Sequence, residues 1–169
     1  KEDFSEEAYF DVIRKKTAAL FKASSQSGAV SVGAVQEEVM KAGLLGEMIG
    51  IAFQIKDDIF DYFESPELGK PTGNDMLEGK LTLPALYVLN QTGDDSLKQT
   101  ALKIRSLEAS KEEIAAFVET VKERGGIEYA TRMMYEFRDK ALALVPASAD
   151  SSLKEALTAY IDYVIERNK

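Results

Sequence analysis

The sequence predicts an all-α protein, a bundle of roughly six or seven helices. Helix start and stop signals recur along the chain, whereas no short run of residues alternates apolar and polar side chains between two turn signals. The chain has 169 residues and 45% hydrophobic content, which is enough for one real core. A single domain over residues 1–169 is therefore expected.

Turn residues divide the first half of the chain. The first helix is predicted to open at Ser5 and to close near Gly28, and the second to run over about residues 34–63. A loop follows over about residues 64–75. Pro84 then marks the start of the next helix, because proline is tolerated in a first helical turn.

The second half of the chain is predicted to contain four amphipathic packing helices. Capping-box sequences begin at Ser110 and Ser152, each with a glutamate three residues later. The four helices are predicted over about residues 95–105, 111–124, 127–144 and 151–167.

Composition excludes several classes of function. Cys and His are both absent, so disulfides, the usual zinc sites and Ser-His or Cys-His nucleophiles are excluded. A net charge of −8 argues against a nucleic-acid or anionic-membrane partner. No window approaches the roughly 18 unbroken apolar residues of a membrane span, and the start of the chain does not read as a signal peptide. A cytoplasmic protein that uses carboxylates, lysines and a metal is expected.

The second predicted helix carries a polar stripe on an otherwise apolar surface. At 100° per residue the stripe occupies an arc of about 100°. Its members are Glu47, Gly50, Gln54, Asp57, Asp58 and Asp61. The stripe is therefore expected to face a cavity, the alternative being a solvated acidic face. Three close carboxylates need a compensating cation, for which a hard divalent metal fits best, and Asp57 and Asp61 are one turn apart and can share it.

Two other features stand out. Tyr9, Ile13, Lys16 and Leu20 fall within about 60° of each other, which places the Lys16 ammonium on the apolar face of the first helix. Lys16 is either an ion-pair partner or an anion ligand. The glycines of the second helix cost about 1 kcal/mol each relative to Ala. Close helix packing is the favoured account of Gly43, Gly46 and Gly50, and a substrate groove is the alternative.

The segment from Phe53 to Pro84 resembles the second aspartate-rich motif of the trans-isoprenyl (polyprenyl) diphosphate synthases. That motif is F-Q-x-x-D-D-x-x-D followed by G-K-x-x-G-x-D-x-x-E-G-K-x-T-L-P, and every fixed position is present. Lys16-Thr17-Ala18 matches the K-T-A motif of the same family. The sequence from Glu78 to Pro84 most resembles that of bacterial long-chain, octaprenyl-type synthases.

The resemblance implies a helical bundle of the isoprenoid synthase type and a prenyltransferase. Such an enzyme ionises an allylic prenyl diphosphate with the help of Mg²⁺ and joins the cation to isopentenyl diphosphate, releasing diphosphate. By analogy the metal residues are Asp57, Asp58 and Asp61, with Asp58 in support. The implied catalytic residues are Lys16, Thr17 and Gln54. The implied substrate-binding residues are Lys16, Phe53, Gln54, Lys70 and Lys80.

One part of the family pattern is missing. The first aspartate-rich motif and a pair of arginines precede the K-T-A helix in the family, and residues 1–15 contain neither. The chain is therefore expected to be the C-terminal part of a polyprenyl synthase fold, inactive by itself, from a homodimeric parent enzyme. Two alternatives stay open: a terpene cyclase-like or head-to-head enzyme that also ionises a diphosphate, and a non-catalytic partner subunit or fragment that binds Mg²⁺–diphosphate.

Overall fold

A computed structural model describes residues 4–63 and 72–166. Within these ranges the chain forms helices and turns without any strand, so the all-α prediction is confirmed. The helices are α1 (Glu6–Ile13), a π-helical turn (Arg14–Ala18), α2 (Ala19–Ser31), α3 (Gln36–Phe60), α4 (Asn74–Leu77), α5 (Leu83–Gln91), α6 (Asp95–Arg105), α7 (Lys111–Glu123), α8 (Gly126–Ala143) and α9 (Ser151–Glu166). None of the helices in these ranges has both the length and the apolar character needed to cross a membrane.

The chain divides into two compact units. The first unit consists of Lys1–Tyr9 and Asp57–Thr131, and the second consists of Phe10–Lys56 and Arg132–Lys169. The helices α1, α3 and α8 each contribute residues to both units. The single-domain expectation from chain length stays a prediction.

The core of the first unit is built around α5. This helix buries apolar side chains on most of its surface, as expected of a helix surrounded by protein. Helix α7 packs against α5 and α6, and the short α4 packs against α6 and α7. The largest fully buried aliphatic and aromatic side chains on α5, α6 and α7 are Leu83, Leu86, Val88, Leu89, Ile104, Phe117 and Val118.

In the second unit, the π-helical turn and α2 pack closely against α3. A Cβ atom added at Gly46 would lie 2.5 Å from the carbonyl oxygen of Phe21, and one added at Gly50 would lie 2.6 Å from Cα of Ala18. At Gly43 it would meet the side chain of Gln26. The close-packing account of the three glycines is therefore confirmed.

Two predicted boundaries are wrong. The first helix continues past Gly28 to Ser31, and the chain turns at Gly33, whose φ of 74° lies in the left-handed region that glycine adopts most easily. Helix α9 is capped by Asp150, which accepts a hydrogen bond from the Leu153 N–H at 2.8 Å, so the predicted cap at Ser152 is not formed. Aspartate caps a helix as well as serine does, so Asp150 can begin this helix in place of Ser152.

The other predicted capping box is confirmed. Ser110 Oγ accepts from the Glu113 N–H at 3.1 Å, and the Glu113 carboxylate accepts from the Ser110 N–H at 2.8 Å. Helix α4 was not predicted, because four residues form a single turn that leaves no periodic pattern in the sequence.

The glycine packing generates a stability prediction. Gly50→Ala should lower the free energy of unfolding by about 1–3 kcal/mol, because the added methyl group meets backbone atoms that cannot move aside cheaply. Gly28→Ala is the matched control, since nothing lies within 4 Å of its added Cβ and alanine favours the helix by about 1 kcal/mol. Urea denaturation measures both. Equal effects of the two substitutions would contradict the packing account.

Candidate functional site

The predicted site residues are distributed over both units, and each group is described by itself. The first unit contains Asp57, Asp58, Asp61 and Lys80. The second contains Lys16, Thr17, Phe53 and Gln54. The predicted diphosphate ligand Lys70 lies outside the residues that the structure describes.

Asp58 is buried near the end of α3. Its side chain accepts a hydrogen bond from the Tyr9 hydroxyl, with 2.5 Å between Tyr9 Oη and Asp58 Oδ2, and Asp58 is 4% exposed. Burial raises the pKa of the Tyr9 phenol well above its ordinary value, and the negative charge of Asp58 raises it further. The proton therefore stays on the phenol oxygen, and a neutral donor stabilises a buried carboxylate.

Asp61 organises the backbone that follows the motif. Its two carboxylate oxygens accept from the N–H groups of Asn74 at 3.1 Å and of Asp75 at 3.0 Å. Its carbonyl oxygen accepts from the Gly73 N–H at 2.8 Å. Gly73 has a φ of 77°, and a Cβ atom there would lie 2.9 Å from Ile114 Cγ2. Asp61 thus caps α4 through a turn that requires glycine.

The carboxylates fit a magnesium ion that a phosphate-bearing ligand helps to coordinate. In the described parts of the chain, no three Asp, Glu, His or Cys side chains converge into a ready-made metal cage. Asp57 is half-buried one turn before Asp61, and a carboxylate that accepts two N–H bonds still has lone pairs for a cation. Because Mg²⁺ is usually bound by one or two carboxylates plus waters and substrate phosphates, this donor set is sufficient.

Lys80 carries a positive charge in the same unit. Its ammonium group bonds to the Glu78 carboxylate and lies 3.8 Å from Asp75 Oδ1. The hydrogen bond to Glu78 raises the pKa of Lys80 above its ordinary value, so the side chain stays cationic at neutral pH. Its side chain is half exposed. Lys80 can therefore meet an anion without first leaving a buried position.

In the second unit, the K-T-A residues lie in the π-helical turn. Such turns are rare and are found preferentially at functional sites. The Thr17 hydroxyl donates to Gln54 Oε1 at 2.6 Å. This bond uses the hydroxyl proton, so the lone pairs of Thr17 Oγ1 point elsewhere and can face a positive charge. Phe53 packs against Phe21 with ring centroids 5.3 Å apart.

The expected position of Lys16 on the apolar face is wrong. Tyr9 and Ile13 are buried, but Lys16 and Leu20 are exposed. The reason is the π-helical turn, because an extra residue per turn rotates everything after it relative to a regular α-helix. Arg14, Lys15 and Lys22 each pair with a carboxylate, whereas Lys16 forms no ion pair with any residue in the ranges 4–63 and 72–166. The role of Lys16, as an ion-pair partner or as an anion ligand, stays a prediction.

The expectation that the whole polar stripe of α3 faces a cavity is also wrong in part. Glu47 is buried and pairs with Arg14 at 3.2 Å and Lys22 at 2.9 Å. Gly50 and Gln54 contact the π-helical turn as described above. Glu47 and Gly50 therefore face protein rather than a cavity, because ion pairs satisfy Glu47 and Ala18 packs against Gly50.

Sequence reasoning missed the role of Tyr9. The signal was present, because a buried carboxylate on an apolar helix needs a donor, and tyrosine combines an apolar ring with a hydroxyl group that can donate. Tyr9 was placed on the apolar face of the first helix, but its partner is defined only by the tertiary structure.

Comparison with known proteins gives a consistent set of relatives. The family model described as Polyprenyl synthetase matches residues 1–121. The chain is 37% identical over 157 residues to heptaprenyl diphosphate synthase component 2 of Geobacillus stearothermophilus, covering 90% of this chain and 48% of that protein. It is 30% identical to octaprenyl diphosphate synthase of Escherichia coli, over 99% of this chain and 52% of that protein.

A solved structure is similar over nearly the whole chain. The crystal structure of geranylgeranyl pyrophosphate synthase from Bacteroides thetaiotaomicron aligns with a TM-score of 0.93 and 57% identity, covering 99% of this chain and 55% of that one. The chain thus spans about half the length of the relatives it matches. Their names include both long and short products, so the octaprenyl-type product length stays a prediction.

The contacts of Asp61 generate the second prediction. Asp61→Ala should lower the free energy of unfolding by about 1–3 kcal/mol, because the amides of Asn74 and Asp75 lose their acceptors. Asp61→Asn keeps one acceptor oxygen and should lose less. Urea denaturation gives both values. A loss that is equal for the two variants would count against the capping role.

Proposed function

Because the chain belongs to the polyprenyl synthetase family, we propose that it is the part of a trans-prenyltransferase that binds the diphosphate of an allylic substrate together with Mg²⁺. The observation that carries the proposal is the arrangement in the first unit. There, Asp61 fixes the turn leading to α4, and the chain after α4 supplies the cationic Lys80. Carboxylates for a metal and a lysine for phosphate oxygens are the groups that a metal–diphosphate ligand requires.

The proposed reaction begins with loss of diphosphate from the allylic substrate. The carbon–oxygen bond breaks, its electron pair leaves with the diphosphate, and an allylic cation remains. The double bond of isopentenyl diphosphate then attacks the cation, and loss of a proton restores neutrality at carbon. When bound, Mg²⁺ supplies Lewis-acid stabilisation of the leaving group.

This chain's residues have defined parts in that scheme. Asp57 and Asp61 are the proposed metal ligands, and Asp58 supports them. The ammonium groups of Lys16, Lys70 and Lys80 hold diphosphate oxygens. Thr17 turns the lone pairs of its oxygen toward the cation, since its proton is donated to Gln54. Gln54 thereby positions Thr17, and Phe53 lines the substrate site. No covalent enzyme intermediate is involved.

A second candidate function has one observation in its favour. The relative from Geobacillus stearothermophilus is named as component 2 of a synthase, so that protein works with another component. The corresponding alternative is a subunit that binds Mg²⁺–diphosphate and needs a partner chain for turnover. The predicted homodimer of the parent enzyme and a cytoplasmic location remain part of the proposal.

Binding of diphosphate provides the third prediction. Calorimetric titration with inorganic diphosphate should give affinity that depends on Mg²⁺, and Asp57→Ala should weaken it at least about tenfold because a metal ligand is lost. Glu112→Ala is the control, since Glu112 is an exposed acidic residue in the first turn of α7. Binding that ignores Mg²⁺, or that survives Asp57→Ala unchanged, would refute the proposed site.

Complementation provides the fourth prediction. The chain alone should transfer no measurable isopentenyl diphosphate, because each missing contact to the leaving group costs about a hundredfold in rate. A fusion to the part of the Bacteroides thetaiotaomicron relative that lies outside the matched 55% should restore transfer of radiolabelled isopentenyl diphosphate to farnesyl diphosphate, given the TM-score of 0.93. Turnover by the isolated chain would contradict the need for a second half. A folded but inactive fusion would contradict the proposed reaction.

A further inference from the structure

The hydrogen bond between Tyr9 and Asp58 joins two distant parts of the sequence inside the first unit. The two residues are 49 positions apart, and both are buried, at 9% and 4% exposure. Tyr9 belongs to α1, whereas Asp58 lies two residues before the end of α3. A contact of this kind restrains the helix end against rotation, because moving Asp58 would break a buried hydrogen bond between a carboxylate and a hydroxyl group.

The consequence for the neighbouring carboxylates follows from helix geometry. Asp57 precedes Asp58 by one residue, about 100° around the helix, and Asp61 follows by three, about 60° from it. When Asp58 is turned into the interior, the directions of Asp57 and Asp61 are fixed as well. Asp61 is then in place to accept from the amides of Asn74 and Asp75.

We propose that Tyr9 is a positioning residue of the metal–diphosphate site, acting through Asp58. Its hydroxyl holds Asp58 in the interior as an anchor rather than as a metal ligand, and so orients Asp57 and Asp61. The inference rests on the proposed function for its effect on the ligand, but its effect on Asp61 is a property of the chain alone.

The chain offers a matched control for this role. Tyr129 on α8 also donates its hydroxyl to a carboxylate, Glu6 Oε2, at 2.7 Å, and Glu6 belongs to the same helix as Tyr9. Tyr129→Phe and Tyr9→Phe therefore each remove one tyrosine–carboxylate hydrogen bond from α1 in the same unit. Of the two bonds, only that of Tyr9 involves a residue of the aspartate motif, Asp58.

Two measurements test the proposal. The first is hydrogen exchange at the amides of Asn74 and Asp75, which report on the carboxylate of Asp61. Tyr9→Phe should speed this exchange about tenfold, and Tyr129→Phe should leave it unchanged. The second is titration with inorganic diphosphate and Mg²⁺ for Tyr9→Phe, Asp58→Asn and the double variant. Tyr9→Phe should weaken Mg²⁺-dependent binding about tenfold. The double variant should bind as Asp58→Asn does, because the two residues act as one unit.

Each result decides the proposal. Unchanged exchange in Tyr9→Phe, an equal change in Tyr129→Phe, or additive losses in the double variant would overturn it. In the last two cases Tyr9 would be a packing residue that loosens α1 in general. If the wild-type chain shows no Mg²⁺-dependent binding, the proposed function fails, and the exchange experiment alone then decides whether Tyr9 orients Asp61.

Discussion

The structure depends on one constraint: α3 carries a polar stripe into the protein interior, and every buried polar group on it needs a partner. The segment formed by α1, the π-helical turn and α2 supplies those partners. In the second unit, Arg14 and Lys22 satisfy Glu47, and Thr17 bonds to Gln54. In the first unit, Tyr9 satisfies Asp58. A buried polar group without such a partner costs about 1–3 kcal/mol, so these contacts help to fix the register of the segment.

The same constraint divides the three aspartates of the motif by their environment rather than by their sequence. Asp58 is turned inward to a tyrosine hydroxyl, and Asp61 caps the turn before α4 with both oxygens. Asp57 is half-buried. An acidic cluster that seems to consist of three equivalent ligands is therefore a set of carboxylates with different surroundings. The hydrogen bonds that Asp58 and Asp61 accept stabilise their charged forms.

Local signals predicted much of the fold. Helices α6, α7, α8 and α9 were predicted to within a few residues, because caps and amphipathic stripes are encoded within each helix. The failures at Lys16 and beside Glu47 had a different cause, because no local signal showed them. The π-helical turn changed the face of Lys16, and the complementary surface of the first helix replaced the expected cavity beside Glu47. A periodicity of 3.6 residues shows that a stripe will be buried, but it does not show whether protein or a ligand covers it.

The buried residues of the stripe and the proposed anion ligands differ in exposure. The stripe residues Glu47 and Asp58 are buried and paired within the chain, so they stabilise the fold whether or not a ligand is present. The lysines proposed to hold diphosphate differ, because Lys16 and Lys80 are exposed or half exposed. The proposed binding is therefore expected to add contacts without breaking the buried ones, which keeps the cost of reorganisation low. In the first unit, the buried pair of Tyr9 and Asp58 is thus the support proposed for Asp57 and Asp61, and it is as necessary to them as the residues that would touch the ligand.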